Sequence, residues 1–258
     1  METFLFDKIV FGPVKSRRLG ISLGINVLPV DSKVCNFDCI YCECGLTLSE
    51  MSNVILPTRE EIAHALEVKL SEMKQNGDVL DVITFAGNGE PTIHPAFPGI
   101  ISDTIQIRNK YFPVTPVSVL SNATMLSDPE VVIALKKVNQ NILKLDSGIA
   151  STIKILNRPS PDFKLENLVM RLKQFEGKLI IQTMFIRGTI GDQSVDNTTM
   201  EELQYWEAII NEVRPQQVMI YTIQRNTPYE GLQKVTLNEI RVIASRLEKN
   251  GIKVQVSA

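Results

Sequence analysis

The stretch at residues 82–91 reads VITFAGNGEP and joins a hydrophobic segment to a glycine-rich one. Its first half is almost continuously hydrophobic and rich in β-branched residues, as expected of a parallel strand buried on both faces. Its second half contains two glycines and a proline, which allow a tight turn and a close approach of the backbone to a ligand. The stretch therefore predicts a buried strand that ends in a loop suited to binding.

The same succession of apolar strand and polar loop recurs along the chain. Predicted strands cover residues 20–27, 82–86, 117–121, 142–145, 179–185, 217–221 and 253–256. Predicted helices cover residues 59–74, 97–108, 129–137, 165–175, 200–213 and 237–249. This alternation predicts an α/β fold with a parallel sheet and right-handed crossovers, which either curls into a partial barrel or stays open.

In both arrangements, ligands gather at the carboxyl ends of the parallel strands. Polar and glycine-rich residues concentrate at those ends, at 87–91, 121–124, 146–148, 187–188 and 222–225. A long polar connection follows at 188–198, and residues 228–231 are predicted to turn. We therefore expect the functional site at the carboxyl edge of the sheet.

Composition excludes several classes of protein. The 258 residues include 44% hydrophobic and 22% charged residues, the balance of a globular protein whose core needs no disulfides. A formal net charge of −2 gives no global basic field for nucleic acid, although local basic patches are compatible with it. Residues 1–20 lack the apolar core of a secretory signal, and no run of about 18 apolar residues occurs. We expect a cytoplasmic protein with no membrane partner, folded as one domain over residues 1–258, with an extension at 1–19 and a final helix and strand within 226–258.

The cysteines form the most informative motif. All four lie between Cys35 and Cys44, and residues 34–42 read VCNFDCIYC. Thiols this close in sequence indicate a metal or cluster site, because a disulfide framework would spread its cysteines along the chain. A cubane cluster usually takes one thiolate per iron, so the thiolates of Cys35, Cys39 and Cys42 would leave one iron open to a substrate.

A structural zinc ion is the competing interpretation, and the chain would then be a non-catalytic zinc-binding interaction module. Cys44 or His94 would supply the fourth ligand that zinc requires. Structural zinc motifs usually pair two Cys-x2-Cys knuckles from distant segments, and this sequence has no second knuckle. In a cluster protein, Cys44 would instead protect the cluster, donate a hydrogen atom, contact the substrate or simply fill space.

The spacing Cys-x3-Cys-x2-Cys, with Tyr41 just before the last cysteine, resembles the signature of the radical S-adenosylmethionine (SAM) superfamily. The resemblance implies a partial (β/α)6 barrel of the TIM type and a [4Fe–4S] cluster on Cys35, Cys39 and Cys42. It also implies that Tyr41 is one of the residues that bind the cofactor. It implies that the open iron chelates the amino and carboxylate groups of SAM, and that an electron from the cluster breaks the S–C5′ bond. The resulting 5′-deoxyadenosyl radical abstracts hydrogen from a substrate. A flavodoxin or ferredoxin is the implied electron donor.

Two further loops resemble parts of the same superfamily. The loop after the predicted strand at 82–86 consists of Gly87, Asn88, Gly89 and Glu90. It looks like the Gly-Gly-Glu motif, which implies that Glu90 and the neighbouring backbone bind the amino group of SAM. Residues 121–124 are similar to the ribose-contacting segment, which implies that Ser121 and Asn122 bind SAM. Taken alone, each loop is also compatible with an ordinary turn or a helix cap.

Charged residues near the other strand ends complete the predicted site. Asp146 would bind a cation near SAM, orient an arginine or contact the substrate, unless it lies in a surface turn. Arg187 and Arg225 suit recognition of a carboxylate or phosphate, and we expect at least one of them in the site rather than in a surface salt bridge. Arg17 and Arg18 would either meet a phosphate or stay solvated.

Residues 11–26, FGPVKSRRLGISLGIN, and 221–225, YTIQR, are similar to small radical SAM proteins grouped with the tRNA wyosine-synthase-like enzymes. The synthases that build the tricyclic base carry a second cluster on upstream cysteines, whereas this sequence has no cysteine before Cys35. The resemblance therefore implies the SAM machinery without the second cluster. The implied substrate is a tRNA base, and the alternatives are a peptide or protein in which a radical is generated, or a small metabolite.

Overall fold

The computed structural model describes residues 4–47 and 54–257. Its strands are β1 (Val10–Ser16), β2 (Gly20–Ile25), β3 (Val82–Phe85), β4 (Val117–Ser121), β5 (Gln140–Lys144), β6 (Ile180–Met184), β7 (Ile186–Ile190), β8 (Gln193–Asp196), β9 (Gln217–Tyr221), β10 (Leu232–Lys234) and β11 (Val254–Ser257). Its helices are α1 (Arg59–Asn76), α2 (Phe97–Tyr111), α3 (Pro129–Lys137), α4 (Ala150–Leu156), α5 (Leu165–Lys173), α6 (Met200–Val213) and α7 (Leu237–Glu248). A single 3₁₀ turn covers Pro91–Ile93.

The main sheet is parallel except at its first strand. Its order is β1-β2-β3-β4-β5-β6-β9-β11, and β1 pairs antiparallel with β2. Strands β7, β8 and β10 form a separate antiparallel sheet. From β2 to β9, neighbours in the main sheet follow one another along the chain, and most are connected through helices. The predicted α/β fold with a curled, parallel half-barrel is confirmed.

Alternation along the strands gives the sheet two different faces. Side chains such as Ile83, Val119 and Ile220 pack with the helices in the main hydrophobic core. The opposite, inner face holds a smaller apolar group. Polar side chains also occupy this face, and Ser22 Oγ lies 2.8 Å from Thr84 Oγ1. The inner face is therefore the surface of the half-barrel that remains for ligands.

Helix ends follow the signals in the sequence. Thr58 and Glu61 form a capping box at the start of α1, and Gly77 ends that helix in the left-handed conformation at φ 72°. Asp128 caps α3 immediately before Pro129. Within the described residues, no helix combines the length and the hydrophobicity that crossing a membrane would require.

Several elements lie outside the predicted pattern. The long polar connection at 188–198 forms most of the β7–β8 hairpin, and β10 pairs with β7 just after the predicted turn. These strands are short and partly polar, so hydrophobic periodicity does not mark them. Helix α4 has only 7 residues and falls below the length that a helical pattern needs to be recognised.

The predicted N-terminal extension joins the sheet through β1. The turn between β1 and β2 then folds across the inner face of the half-barrel. Leu19 packs against an apolar group that includes Ile180 and Met219. Gln255 Nε2, on β11, donates a hydrogen bond to Arg18 O at 2.8 Å. The turn therefore connects the two edges of the half-barrel.

Candidate functional site

The cysteine loop, residues 33–45, is held between two other segments at the carboxyl edge of the sheet. Val34 forms a parallel bridge with Gly89, in the loop after β3. On the other side of the cysteine loop, Ile40 N donates to Leu156 O, at the end of α4, at 3.0 Å. Because these hydrogen bonds satisfy the loop backbone, the segment is fixed without regular secondary structure.

Two asparagine side chains donate hydrogen bonds to predicted iron ligands. Asn122 Nδ2 lies 3.6 Å from Cys35 Sγ, and Asn157 Nδ2 lies 3.4 Å from Cys39 Sγ. Hydrogen bonds of this kind stabilise a thiolate and tune the reduction potential of a cluster that it binds. Sequence reasoning missed Asn157, because no motif surrounds it and its partner lies far away in the chain.

The thiols of the cysteine loop differ in proton affinity. Burial is the main cause that raises the pKa of Cys35 to about 12, and burial also raises the pKa of Cys39. The neighbouring Cys44 thiol, helped by the Lys33 ammonium, lowers the pKa of Cys42 to about 6 in spite of burial. These neighbours favour the thiolate of Cys42, which is the form in which cysteine binds metal.

A buried lysine stabilises the same loop. Lys33 Nζ donates to Asp38 Oδ1 at 3.0 Å and to Gly45 O at 2.9 Å, and its side chain is 2% exposed. Asp38 Oδ1 also accepts a hydrogen bond from Thr47 N at 2.8 Å. Burial acts to lower the pKa of Lys33, but the charge of Cys42 and the bond to Asp38 outweigh it and raise the pKa. The loop thus encloses a permanent positive charge.

Glu90 connects the carboxyl ends of β3 and β4. Its buried carboxylate accepts hydrogen bonds from Ser121 Oγ at 2.8 Å, Asn122 N at 2.6 Å and Thr92 N at 3.1 Å. Burial raises the pKa of Glu90, and these donors act in the opposite direction. The structure brings the three predicted SAM-binding residues Glu90, Ser121 and Asn122 together, with the carboxylate bound to internal donors. Their contact with SAM stays a prediction.

Asn88 either replaces or separates a glycine of the resembled Gly-Gly-Glu motif. Its Nδ2 donates to Phe6 O at 2.9 Å and to Pro29 O at 2.7 Å, and its Oδ1 accepts from Phe6 N at 2.9 Å. The side chain is fully buried and connects the N-terminal segment to the loop after β2. This is a structural role, and the predicted cofactor contact of Asn88 stays a prediction.

The glycines on either side of Asn88 allow a very close approach of neighbouring segments. At Gly89, where φ is +136°, an added Cβ would lie 1.8 Å from Val34 O. At Gly87, an added Cβ would lie 2.3 Å from Asn26 Oδ1. The contact at Gly89 is made by backbone that belongs to the bridge with the cysteine loop, so it has little freedom to move.

Replacing Gly89 by alanine is therefore expected to disrupt the cysteine loop. We expect the Gly89→Ala protein to lose more than about 2 kcal/mol of unfolding free energy and most of its bound iron. The matched control is Gly77→Ala, which also has a positive φ but no atom within 4 Å of the new Cβ. It should cost about 1 kcal/mol and leave the iron content unchanged. Equal losses in both proteins, measured by urea unfolding and iron analysis, would show that the contact with Val34 is unimportant.

A buried polar network lies beside the cysteine loop. Asp146 accepts hydrogen bonds from Tyr41 OH, from Asn157 Nδ2 at 2.7 Å and from Met184 N at 2.9 Å. Lys144 Nζ lies 3.4 Å from Asp146 Oδ2 and donates to Tyr41 OH at 2.9 Å. Asp146 is 1% exposed, so the alternative of a surface turn is wrong.

The network keeps its charges because its members compensate one another. Burial acts to lower the pKa of Lys144, but the Asp146 carboxylate and other nearby groups raise it overall. Burial and Asp146 raise the pKa of Tyr41 well above its usual value, so the phenol stays protonated and donates to the carboxylate. The predicted site residues Tyr41 and Asp146 are therefore in direct contact.

The two arginines predicted at strand ends have different surroundings. Arg225 Nη1 lies 2.7 Å from Glu43 Oε2, which is part of the cysteine loop, and its side chain is 68% exposed. Arg187 Nη2 lies 2.6 Å from Glu239 Oε1 on α7 and also faces Asp196. Arg225 is thus the one that adjoins the cysteine loop, and its role in binding stays a prediction.

His94 is occupied elsewhere. Its Nε2 lies 2.8 Å from Pro57 O, and its Nδ1 accepts a hydrogen bond from Ala96 N at 3.1 Å. Over residues 4–47 and 54–257, no three His, Cys, Asp or Glu side chains are close enough together to hold one metal ion. The geometry therefore does not support His94 as the fourth ligand of a mononuclear zinc site.

Comparison with known families identifies the fold. Residues 30–188, which include the cysteine loop and the strand ends from β3 to β6, match the family described as the radical SAM superfamily. The chain belongs to the radical SAM superfamily. The match begins just before the cysteine loop and covers more than half of the 258 residues.

Relatives of this radical SAM protein are found in distant bacteria. It is 30% identical over 253 residues to a Brachyspira hyodysenteriae protein named GTPase Obg, covering 95% of this chain and 34% of that protein. It is 30% identical over 227 residues to a Helicobacter pylori protein named UPF0026 protein, covering 86% of this chain and 68% of that protein. The chain thus spans only about a third of the Brachyspira protein.

Solved structures of radical SAM enzymes share the fold. A radical SAM methyltransferase from Sphaerobacter thermophilus matches with a TM-score of 0.67 at 13% identity, over 92% of this chain and 65% of that one. Streptococcus suis SuiB bound to its precursor peptide SuiA matches with a TM-score of 0.64 at 14% identity, over 91% and 48%. Archaeal TYW1 matches with a TM-score of 0.52 at 13% identity, over 89% and 72%. These identities are low, so the likenesses concern the fold alone.

The side chains of this radical SAM protein fit a [4Fe–4S] cluster. Cys35, Cys39 and Cys42 are free thiols on one loop, and amide groups donate to the first two. Lys33 places a positive charge beside the thiolates, as suits a cluster with several negative ligands. The donor set is therefore compatible with a thiolate-bound iron–sulfur centre.

Proposed function

We propose that this protein is a radical SAM enzyme that binds a [4Fe–4S] cluster through Cys35, Cys39 and Cys42 and cleaves SAM reductively. When bound, the reduced cluster supplies the electron that breaks the S–C5′ bond, and the 5′-deoxyadenosyl radical then abstracts hydrogen from a substrate. A flavodoxin or ferredoxin would deliver the electron to the cluster.

One observation supports this proposal above the others. The cysteine loop is bridged directly to the loop after β3 through Val34 and Gly89, and Asn122 at the end of β4 contacts Cys35. Residues that the sequence assigns to the cluster and residues that it assigns to SAM therefore belong to one connected group. A protein that held only structural metal would have no reason to join its thiols to the ends of two neighbouring strands of a half-barrel.

The proposed SAM contacts are Tyr41, Gly87, Asn88, Gly89, Glu90, Ser121, Asn122, Asp146 and Arg225. Glu90 would orient the ends of β3 and β4 through its internal hydrogen bonds, so that backbone groups of the glycine loop face the amino group of SAM. Asn122 would hold the Cys35 thiolate in place while its neighbours contact ribose. Tyr41 and Asp146 would form the buried wall behind Cys39 that limits access of water and oxygen.

A tRNA base is the substrate that we favour for this radical SAM enzyme, in line with the proposed grouping near the wyosine-synthase-like proteins. The supporting observation is Arg18 on the inner face of the half-barrel, where its guanidinium stacks on Tyr221 and donates to Gln182, as suits a group that meets nucleic-acid phosphate. The GTPase name of the Brachyspira relative is not extended to this chain, because the sequence contains no G-x-x-x-x-G-K-[S/T] phosphate loop.

The proposal is tested by anaerobic reconstitution with iron and sulfide, followed by dithionite and SAM. We expect a brown protein that absorbs near ~400 nm and releases 5′-deoxyadenosine and methionine in equal amounts. Adding a tRNA transcript that lacks modified bases, with deuterium at candidate positions, should transfer the label into 5′-deoxyadenosine. A colourless protein that binds zinc and leaves SAM intact would refute the proposal.

A further inference from the structure

Arg18 lies on the inner face of the half-barrel and is half-buried there. It belongs to the β1–β2 turn, which crosses this face. Its Nη1 donates to Gln182 Oε1, on β6, at 3.1 Å. Its Cζ lies 4.3 Å from the ring centroid of Tyr221, at the end of β9. The guanidinium is therefore held in place by a neutral amide and by an aromatic face.

The charge of Arg18 has no internal counter-ion. Among the residues that the structure describes, no carboxylate lies within 4.0 Å of the Arg18 or Arg17 guanidinium. Removing a charge partly from water is unfavourable unless a partner compensates it. A positioned arginine that uses one of its donors on Gln182 keeps the rest of its planar fork for an anionic ligand.

Two more arginines extend this positive surface. Arg18, Arg225, Glu43 and Tyr221 are all close enough to Arg17 to influence its ionisation. Of these, only Glu43 is a carboxylate, and it already pairs with Arg225 at 2.7 Å. Arg225 is therefore paired with Glu43, whereas neither Arg17 nor Arg18 forms a salt bridge within the described residues, so positive charge predominates in this group.

The arginine group adjoins the proposed catalytic centre. Tyr221, on which Arg18 stacks, packs in one apolar group with Cys39, Tyr41 and Met184. Glu43, which pairs with Arg225, lies between Cys42 and Cys44 in the cysteine loop. A ligand bound by the arginines would consequently reach the edge of the cysteine loop.

We propose that Arg18, assisted by Arg17 and Arg225, forms the site that binds a phosphate group of the substrate. This assignment rests on the proposed function, because it places the phosphate beside the cluster and SAM. Arginine forms paired hydrogen bonds to phosphate oxygens, and the Arg18 guanidinium, held by Gln182 and Tyr221 without a carboxylate partner, keeps donors for such a group. The phosphate comes either from an RNA backbone or from a phosphorylated small molecule.

The experiment measures binding to the reconstituted protein under anaerobic conditions. Its two probes are a fluorescently labelled, unmodified tRNA transcript and guanosine 5′-monophosphate. We expect Arg18→Gln to weaken binding of the recognised probe about tenfold, and Arg18→Lys to weaken it less, because lysine keeps the charge but loses the fork. If RNA is the source, Arg18→Gln also lowers the slope of log affinity against log salt by about one unit.

The matched control is Arg241→Gln, which removes the same charge from the exposed surface of α7. It should leave affinity within about twofold, as expected of a distant surface charge. Equal weakening by the two glutamine variants would overturn the proposal, as would a wild-type protein that binds neither probe. Normal iron content in Arg18→Gln shows that the variant has folded.

Cleavage of SAM by a wild-type protein that binds no phosphate refutes this site alone, whereas phosphate binding without SAM cleavage refutes only the proposed function.

Discussion

The Cys39→Ala protein is expected to lose its cluster and, with it, the cleavage of SAM. Removing a residue that hydrogen-bonds to a metal ligand lowers metal affinity or activity about 10–100-fold. Removing the ligand itself should therefore lower them more than about 100-fold. Cys39 is also the most enclosed of the three proposed ligands, at 8% exposure, so water has little access to replace its thiolate. Iron analysis and the yield of 5′-deoxyadenosine measure the two losses separately.

The matched control is Cys44→Ala, which removes a thiol from the same loop outside the Cys-x3-Cys-x2-Cys spacing. Cys44 Sγ donates a hydrogen bond to Gly87 O at 3.5 Å, and the nearby thiol lowers the pKa of Cys42. We therefore expect the Cys44→Ala protein to retain its iron, with a changed environment at Cys42. Loss of iron as complete as in Cys39→Ala would mean that the ligand assignment is wrong.

The largest expected effect on stability comes from Asp146→Ala. This change leaves the Lys144 ammonium buried beside Tyr41 and Asn157 without its carboxylate. Breaking a buried ion pair by removing one partner typically costs about 3–5 kcal/mol, because the remaining charge stays uncompensated. We expect this loss of unfolding free energy in urea, measured anaerobically by circular dichroism.

Two further variants show whether the uncompensated charge is the cause. Adding Lys144→Met to Asp146→Ala should recover more than half of the lost stability, because it removes the ammonium but keeps a side chain of similar length. Glu212→Ala breaks an exposed salt bridge, in which Lys173 Nζ lies 2.7 Å from Glu212 Oε1. It should lower the free energy of unfolding by less than about 1 kcal/mol. A cost for Asp146→Ala as small as that of Glu212→Ala would contradict the role assigned to the network.

The strands and helices of the half-barrel were predictable because local chemistry decides them. The observed bounds of β4, β9, α3 and α6 coincide with the predicted ones. Strand β9 is apolar from Val218 onward, and β4 places Val117, Val119 and Leu120 among two serines. Both helices follow a residue whose side chain caps them, Asp128 for α3 and Thr199 for α6. The strand ends that follow from this pattern also indicate where the functional site lies.

The internal contacts of the site were not predictable, because they join residues that are remote in sequence. Asn157 and Cys39 are 118 positions apart, and Arg18 and Gln182 are 164 positions apart. A motif shows which residue types are present, but the contact depends on how α4 and the β1–β2 turn pack. Asn88 makes the same point, because its sequence position suggests a ligand contact whereas its side chain connects Phe6 to Pro29.

The most direct measurement is the electron paramagnetic resonance spectrum of the reduced, reconstituted protein, recorded with and without SAM. If SAM chelates an iron that the cysteine loop leaves open, its addition must change the spectrum of the reduced cluster. The same change should follow from SAM analogues that keep the amino and carboxylate groups. If saturating SAM left the spectrum of the reduced cluster unchanged, SAM would not bind to an iron. That result would contradict the assignment of an iron that the three cysteines leave open.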